Sequence, residues 1–186
     1  MTKPTQADLL TAYNKPVADL IAPDLSVLFC GINPSLYSAY TGYHFARPGN
    51  RFWSTLYAAG FTPRLLKPAE EDELLRRGYG ITNIAERATI AASELTPAEI
   101  ITGGERLLQK VAEYRPKVVA VLGITAYRIA FDRRRAVLGR QPELLGSALL
   151  WVLPNPSGLN AHYKPADFAR IFRSFRLEIE AIPPTV

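Results

Sequence analysis

The sequence predicts an α/β fold in three layers, with helices on both faces of a mainly parallel sheet. Three observations carry that expectation. Short β-branched and aromatic runs of strand length recur along the chain, stretches with helical spacing separate them, and Gly, Pro, Asn and Ser punctuate the joins. Strands joined through helices pair in parallel, because each connection crosses over the sheet.

The elements follow in order. Leu9, Leu10, Tyr13, Val17 and Ile21 recur at close to helical spacing, which predicts a helix over 5–21. Ser26–Ile32 is a compact apolar run ended by a turn, the pattern of a buried strand. Asn50–Gly60 reads as a helix stopped by glycine, Ala69–Arg77 as another helix and Gly78–Ile84 as a short strand. Thr96-Pro97-Ala98-Glu99 has the spacing of a capping box with proline at the first helical position. A helix therefore starts there and runs to Tyr114 before Pro116, with Gly103-Gly104 as its weak point. Val118–Gly123 is the strongest buried-strand candidate, and a helix follows from Thr125. Ala148–Pro154 is the next strand. Pro165 opens a last helix whose Phe168, Ile171, Phe172, Phe175 and Ile179 form one core-facing stripe, with Arg170, Arg173 and Arg176 on its solvated side. The short ends, 1–4 and 182–186, are expected to be loose.

The length of 186 residues suits one domain, with 1–21 as an N-terminal extension and about 22–180 as the core. With 48% apolar and 21% charged residues the composition is that of a globular chain. No apolar stretch approaches the roughly 18 residues of a membrane span, and the first residues lack a secretory pattern. One cysteine, Cys30, excludes an intramolecular disulfide framework and any four-cysteine metal site. A monomeric, cytoplasmic chain is the expectation, without membrane contact.

The net charge of +5 is weak evidence alone, but its distribution is informative. Between Asp24 and Glu70 lie 45 residues without a carboxylate, where the average of 17 acids in 186 residues would place about four. A second acid-free run covers Leu144–Ala166. If the two meet in space, they form a face that a polyanion approaches without repulsion. In an open parallel sheet, ligands bind beyond the carboxyl ends of the strands, which directs attention to the loops Gly31–Asn50 and Pro154–Pro165. Both loops sit in the acid-free runs.

Conventional catalytic sets are absent. The two histidines, His44 and His162, lack metal-ligand spacing, and neither a dinucleotide fingerprint nor a phosphate-binding loop occurs, so no metal or cofactor is expected. Cys30 lies within a strand and reads as a buried thiol. What remains is polar turns at strand ends: Gly31-Ile32-Asn33-Pro34-Ser35, and Asn155-Pro156-Ser157-Gly158-Leu159-Asn160. Either can be a simple turn. The second also presents a leucine in a polar loop, the kind of residue that wedges into a base stack.

These segments, with Thr41–Phe45, Asn50-Arg51-Phe52-Trp53, Thr82–Arg87 and Val121-Leu122-Gly123, resemble the paired motifs of the mismatch-specific uracil-DNA glycosylase and thymine-DNA glycosylase family. The likeness runs from about Ala22 to Ile179. It implies a four-stranded parallel sheet and hydrolysis, without a cofactor, of the N-glycosidic bond of an extruded uracil or altered pyrimidine opposite guanine. The implied partner is double-stranded DNA carrying G:U or G:T mismatches. By motif position, Asn33 would hold the attacking water, Phe45 would stack on the base, and Ile32 would line the pocket. Asn83 would border the base or water site, and Asn155 would bind the base or the adjacent backbone. Gly158 and Leu159, followed by Asn160, would form the wedge, and Ser38 would lie where a pyrimidine 5-substituent points. Ser35 replaces a glycine common in the branch, and is expected to narrow the pocket or to offer the base a hydroxyl. His44 replaces a proline and reads as an exposed loop histidine, while Glu86 reads as a surface or ion-paired glutamate beside Arg87. Three other readings stay open: a DNA-binding domain without chemistry, a hydrolase of free nucleosides, and an RNA-directed activity.

Overall fold

The structure, a computed structural model, describes residues 4–183. The outermost residues of both ends expected to be loose, 1–3 and 184–186, lie outside the described residues. Five strands form one sheet in the order β2-β1-β3-β5-β4. β1 (Val27–Gly31), β2 (Tyr79–Asn83), β3 (Val118–Leu122) and β5 (Leu149–Leu153) are mutually parallel. They match the four expected strands to within a residue. The fifth, β4 (Gly139–Arg140), pairs antiparallel with β5, so the sheet has one strand more than expected. Two residues are too few to carry a readable alternation.

Side-chain alternation on β1 divides the core. Val27 and Phe29 face one layer with Phe52 and Leu56 of α3 (Phe52–Ala59) and Phe168, Phe172 and Phe175 of α7 (Pro165–Glu180). Leu28 and Cys30 face the other, with Leu107 and Val111 of α5 (Pro97–Tyr114) and Tyr127 of α6 (Ile124–Ala130). Each fully buried Leu or Phe contributes about 1.5–3 kcal/mol by leaving water. α5 starts at the expected capping box, in which Thr96 and Glu99 satisfy each other's backbone N–H. Gly103 is required there, since a Cβ would stand 2.2 Å from the carbonyl oxygen of Ile84.

Two expectations need correction. The N-terminal helix, α1, spans only Gln6–Leu10 and not 5–21. Asn14 adopts a left-handed φ of 62° and donates its N–H to Ala88, Pro16 follows, and Leu20 pairs with Ile81 as an antiparallel bridge. The apolar spacing belongs to a strap laid along β2. On α7, Arg173 and Arg176 are not simply solvated: they donate to the carbonyls of Ala58 and Ala59 at 2.7 and 2.9 Å, capping the C-terminus of α3. Two further helices, α2 (Leu36–Thr41) and α4 (Glu71–Arg76), flank the loop after β1.

Candidate active site

The carboxyl ends of β1, β2, β3 and β5 open into a cavity of about 950 Å³. None of the residues lining it is acidic, and the two acid-free runs meet at its edge. There the Arg51 N–H donates to the Pro156 carbonyl at 2.9 Å. A Cβ on Gly158 would lie 2.6 Å from the Gly49 carbonyl oxygen, so the two loops touch backbone to backbone.

Asn33 leaves the end of β1 and lines the cavity. Its Nδ2 donates to the Thr89 hydroxyl at 2.7 Å and to the Arg87 carbonyl at 3.1 Å. The Thr89 hydroxyl donates in turn to the Ala91 carbonyl at 2.8 Å. These partners fix the amide, because a flipped Asn33 would set oxygen against the Arg87 carbonyl. Oδ1 is left without a partner among the described residues. Arg87, whose carbonyl takes part in that clamp, is itself held by Glu99, and their pairing draws the Glu99 carboxyl down to about 2.

Phe45 has a φ of 52°, a left-handed conformation that costs an aromatic residue of order 1–3 kcal/mol. Its neighbours hold it there. The Ala46 N–H donates to Ser38 Oγ, the His44 N–H donates to Glu71, and the His44 carbonyl accepts from Trp53 Nε1. One face of the Phe45 ring stacks on Phe52, with centroids 4.0 Å apart, and the ring borders the cavity. Buried Ser38 lines the cavity too, but its oxygen already accepts from Ala46 and from Ser35. The Ser35 hydroxyl caps α2, accepting the Ser38 N–H, so it is committed to the helix end.

His44 is not an exposed loop residue. It is 2% exposed, its Nε2 meets the Ala18 carbonyl at 2.9 Å, and burial pushes its imidazole below the usual value. The neutral ring anchors the loop that carries Phe45. Burial also raises Glu71 from 4.5 to about 6. A carboxyl raised on folding costs stability as pH climbs through that window, because the native state then binds more protons than the unfolded chain. Glu71→Gln is therefore expected to stabilise the fold at pH 7 by up to about 1 kcal/mol, after allowance for partial exposure, and to change little at pH 4. Urea unfolding at the two pH values measures it.

Asn83, a buried residue that ends β2 opposite Gly31, lines the cavity, and its side-chain amide has no hydrogen-bond partner among the described residues. Ile32 lines the cavity while its carbonyl accepts from Ala85 at 2.8 Å. Asn155 lines it as well, and its Oδ1 accepts the Ser157 N–H at 3.0 Å, which closes the turn. Leu159 stands 73% exposed on the rim. Asn160 braces the same loop, with Nδ2 on the Asn155 carbonyl and Oδ1 accepting from His162. All nine candidate residues thus gather at one end of the sheet. Glu86 is away from the cavity and is the exposed, ion-paired glutamate expected, with Arg106 at 3.0 Å as its partner. Cys30 is fully buried, and burial pushes its thiol well above the ordinary value. Among the described residues, no three His, Cys, Asp or Glu side chains gather to hold a metal ion, and no helix is long and apolar enough to cross a membrane. Thr89 and Arg51 escaped the sequence reading, although Arg51 stands in a quoted motif inside an acid-free run.

An open, mostly parallel sheet whose strand ends surround a cavity lined by Arg47 and by no carboxylate defines an α/β protein whose ligand edge an anion approaches without repulsion. The family model of the Uracil DNA glycosylase superfamily matches residues 18–176, and the chain belongs to that superfamily. It is a DNA glycosylase of DNA repair, a hydrolase whose substrate is DNA.

Proposed function

We propose that the chain belongs to the mismatch-specific branch and hydrolyses the N-glycosidic bond of uracil opposite guanine, as a monofunctional enzyme, with thymine and modified pyrimidines as further substrates. The observation that carries this reading is Asn33, whose amide nitrogen is tied to Thr89 and Arg87 while its oxygen is left for a water.

A duplex hides the glycosidic bond, so the nucleotide must be extruded at a cost of a few kcal/mol, least at a mismatch. Leu159 fills the vacated place in the stack, and Phe45, backed by Phe52, receives the base on its open face. Asn83 hydrogen-bonds the base edge. The C1′–N1 bond then breaks with its electron pair leaving on the pyrimidine, and an oxocarbenium-like sugar remains. A water held by Asn33 Oδ1 bonds to C1′ and gives up a proton to the departing base or to solvent. An amide orients that water but is no effective proton acceptor, so leaving-group departure carries most of the barrier.

Base–aromatic stacking is worth about 1–3 kcal/mol. Phe45→Ala is therefore expected to slow single-turnover excision by roughly fivefold to a hundredfold, and Phe45→Tyr to keep it near the wild-type rate. Equal rates for all three would remove Phe45 from the base site. A panel of labelled duplexes, each with one lesion, tests the substrate class: uracil opposite guanine is cut, and free deoxyuridine is left intact. Cleavage of free nucleoside with little salt dependence would favour a nucleoside hydrolase instead.

A further inference from the structure

One side chain gathers the whole rim loop after β5. Arg51 stands just before α3 and donates Nη1 to the Tyr163 carbonyl at 2.8 Å, and Nη2 to the carbonyls of Ser157 and Asn160 at 2.5 and 2.7 Å. Its backbone N–H takes the Pro156 carbonyl, so four carbonyls of residues 156–163 converge on one residue. The guanidinium carbon lies 4.5 Å from the centroid of the Phe168 ring, which fixes the plane of the fork from α7. Among the described residues no carboxylate lies within 4.0 Å of this guanidinium, and its Nε is buried without a partner. Gly158, pressed against Gly49, holds the same loop from its other side.

We propose that Arg51 is a positioning residue for extrusion: it sets the height and direction of Leu159, through the loop carbonyls, without touching DNA itself. The inference rests on the glycosylase reading above. Three features of the site support it. All three side-chain bonds of this guanidinium go to backbone carbonyls of the one loop that bears the exposed leucine. Those carbonyls are drawn inward, so the loop's negative ends are kept away from an approaching phosphate backbone. The unneutralised charge beneath the loop adds positive potential at the DNA edge. A lysine has one compact charged head and does not reproduce the planar fork.

A double-mutant cycle with Leu159 separates positioning of the wedge from support of the fold. Single-turnover excision from a uracil–guanine duplex is measured for the wild type, Arg51→Met, Leu159→Ala and the double variant. Arg51→Met is expected to slow the reaction roughly tenfold to a hundredfold when Leu159 is present, but only about threefold or less in the Leu159→Ala background. The same factor in both backgrounds would overturn the proposal, since Arg51 would then act independently of the wedge. Arg51→Lys supplies a second readout if the methionine variant fails to fold. Amide hydrogen exchange should quicken in the segment 155–164 and stay unchanged in β1 and β3; unchanged exchange in that segment overturns the proposal. A wild type that leaves the uracil duplex uncut would defeat the uracil reading, while the exchange result would still decide whether Arg51 holds the loop.

Discussion

Asn33→Ala is expected to lower single-turnover excision of uracil by a hundredfold or more, about the loss that follows removal of one well-placed polar group from an active site. The variant should still fold, because Asn33 is half-buried at a loop and packs no core. Its Nδ2 partners would each lose one donor, while the Thr89 hydroxyl keeps its own bond to the Ala91 carbonyl. Asn33→Asp is the sharper variant. From the sequence, a carboxylate at this place is expected to keep or raise the rate, since it accepts a proton where an amide does not. The structure adds a condition. A carboxylate oxygen would replace Nδ2 beside the Arg87 carbonyl, now 3.1 Å away, and repulsion there favours the protonated acid. The gain should therefore appear as pH rises, with a steeper pH–rate slope than the wild type. A rate for the alanine variant equal to that of the wild type would remove Asn33 from the chemistry.

Gly31→Ala is expected to cost excision roughly tenfold to a hundredfold with a modest loss of stability, about 1–3 kcal/mol. The added Cβ would lie 2.5 Å from Asn83 Oδ1 and 3.2 Å from Phe45 Cζ. Phe45 has little room to yield, because one face stacks on Phe52 and both neighbours are pinned. The amide of Asn83 must swing instead, and the wall that meets the base edge changes shape. Since the strain falls on the side chains of two pocket residues and not on the backbone pairing of the strands, the rate should fall while the variant stays folded. A variant that loses stability but excises uracil at the wild-type rate would show that this wall does not face the base.

Much of the architecture was legible because its signals are local. The four parallel strands are short apolar runs ended by turns, and the capping box at Thr96 announces α5 within four residues. The site was legible in part, since both Asn-Pro turns leave strand ends and lie in carboxylate-free sequence. What was missed depends on partners distant in the chain. His44 looks like an exposed residue until Ala18, Glu71 and Trp53 close around its loop. The helical spacing over 5–21 gives way because Asn14 and Leu20 find backbone partners at Ala88 and Ile81. Thr89 meets the Asn33 amide from a distant loop, and Arg51 acts through backbone carbonyls, which no side-chain pattern encodes. For Arg51 one signal was present: it stands in a quoted motif inside the run of 45 residues without a carboxylate.

The most direct measurement uses a labelled duplex with one uracil opposite guanine, incubated with the protein and then treated with hot alkali. Excision leaves an abasic site, so a strand break at the uracil is the predicted result, strong with the wild type and nearly absent with Asn33→Ala. An intact strand after incubation with excess wild-type protein would contradict the assignment of uracil as the substrate.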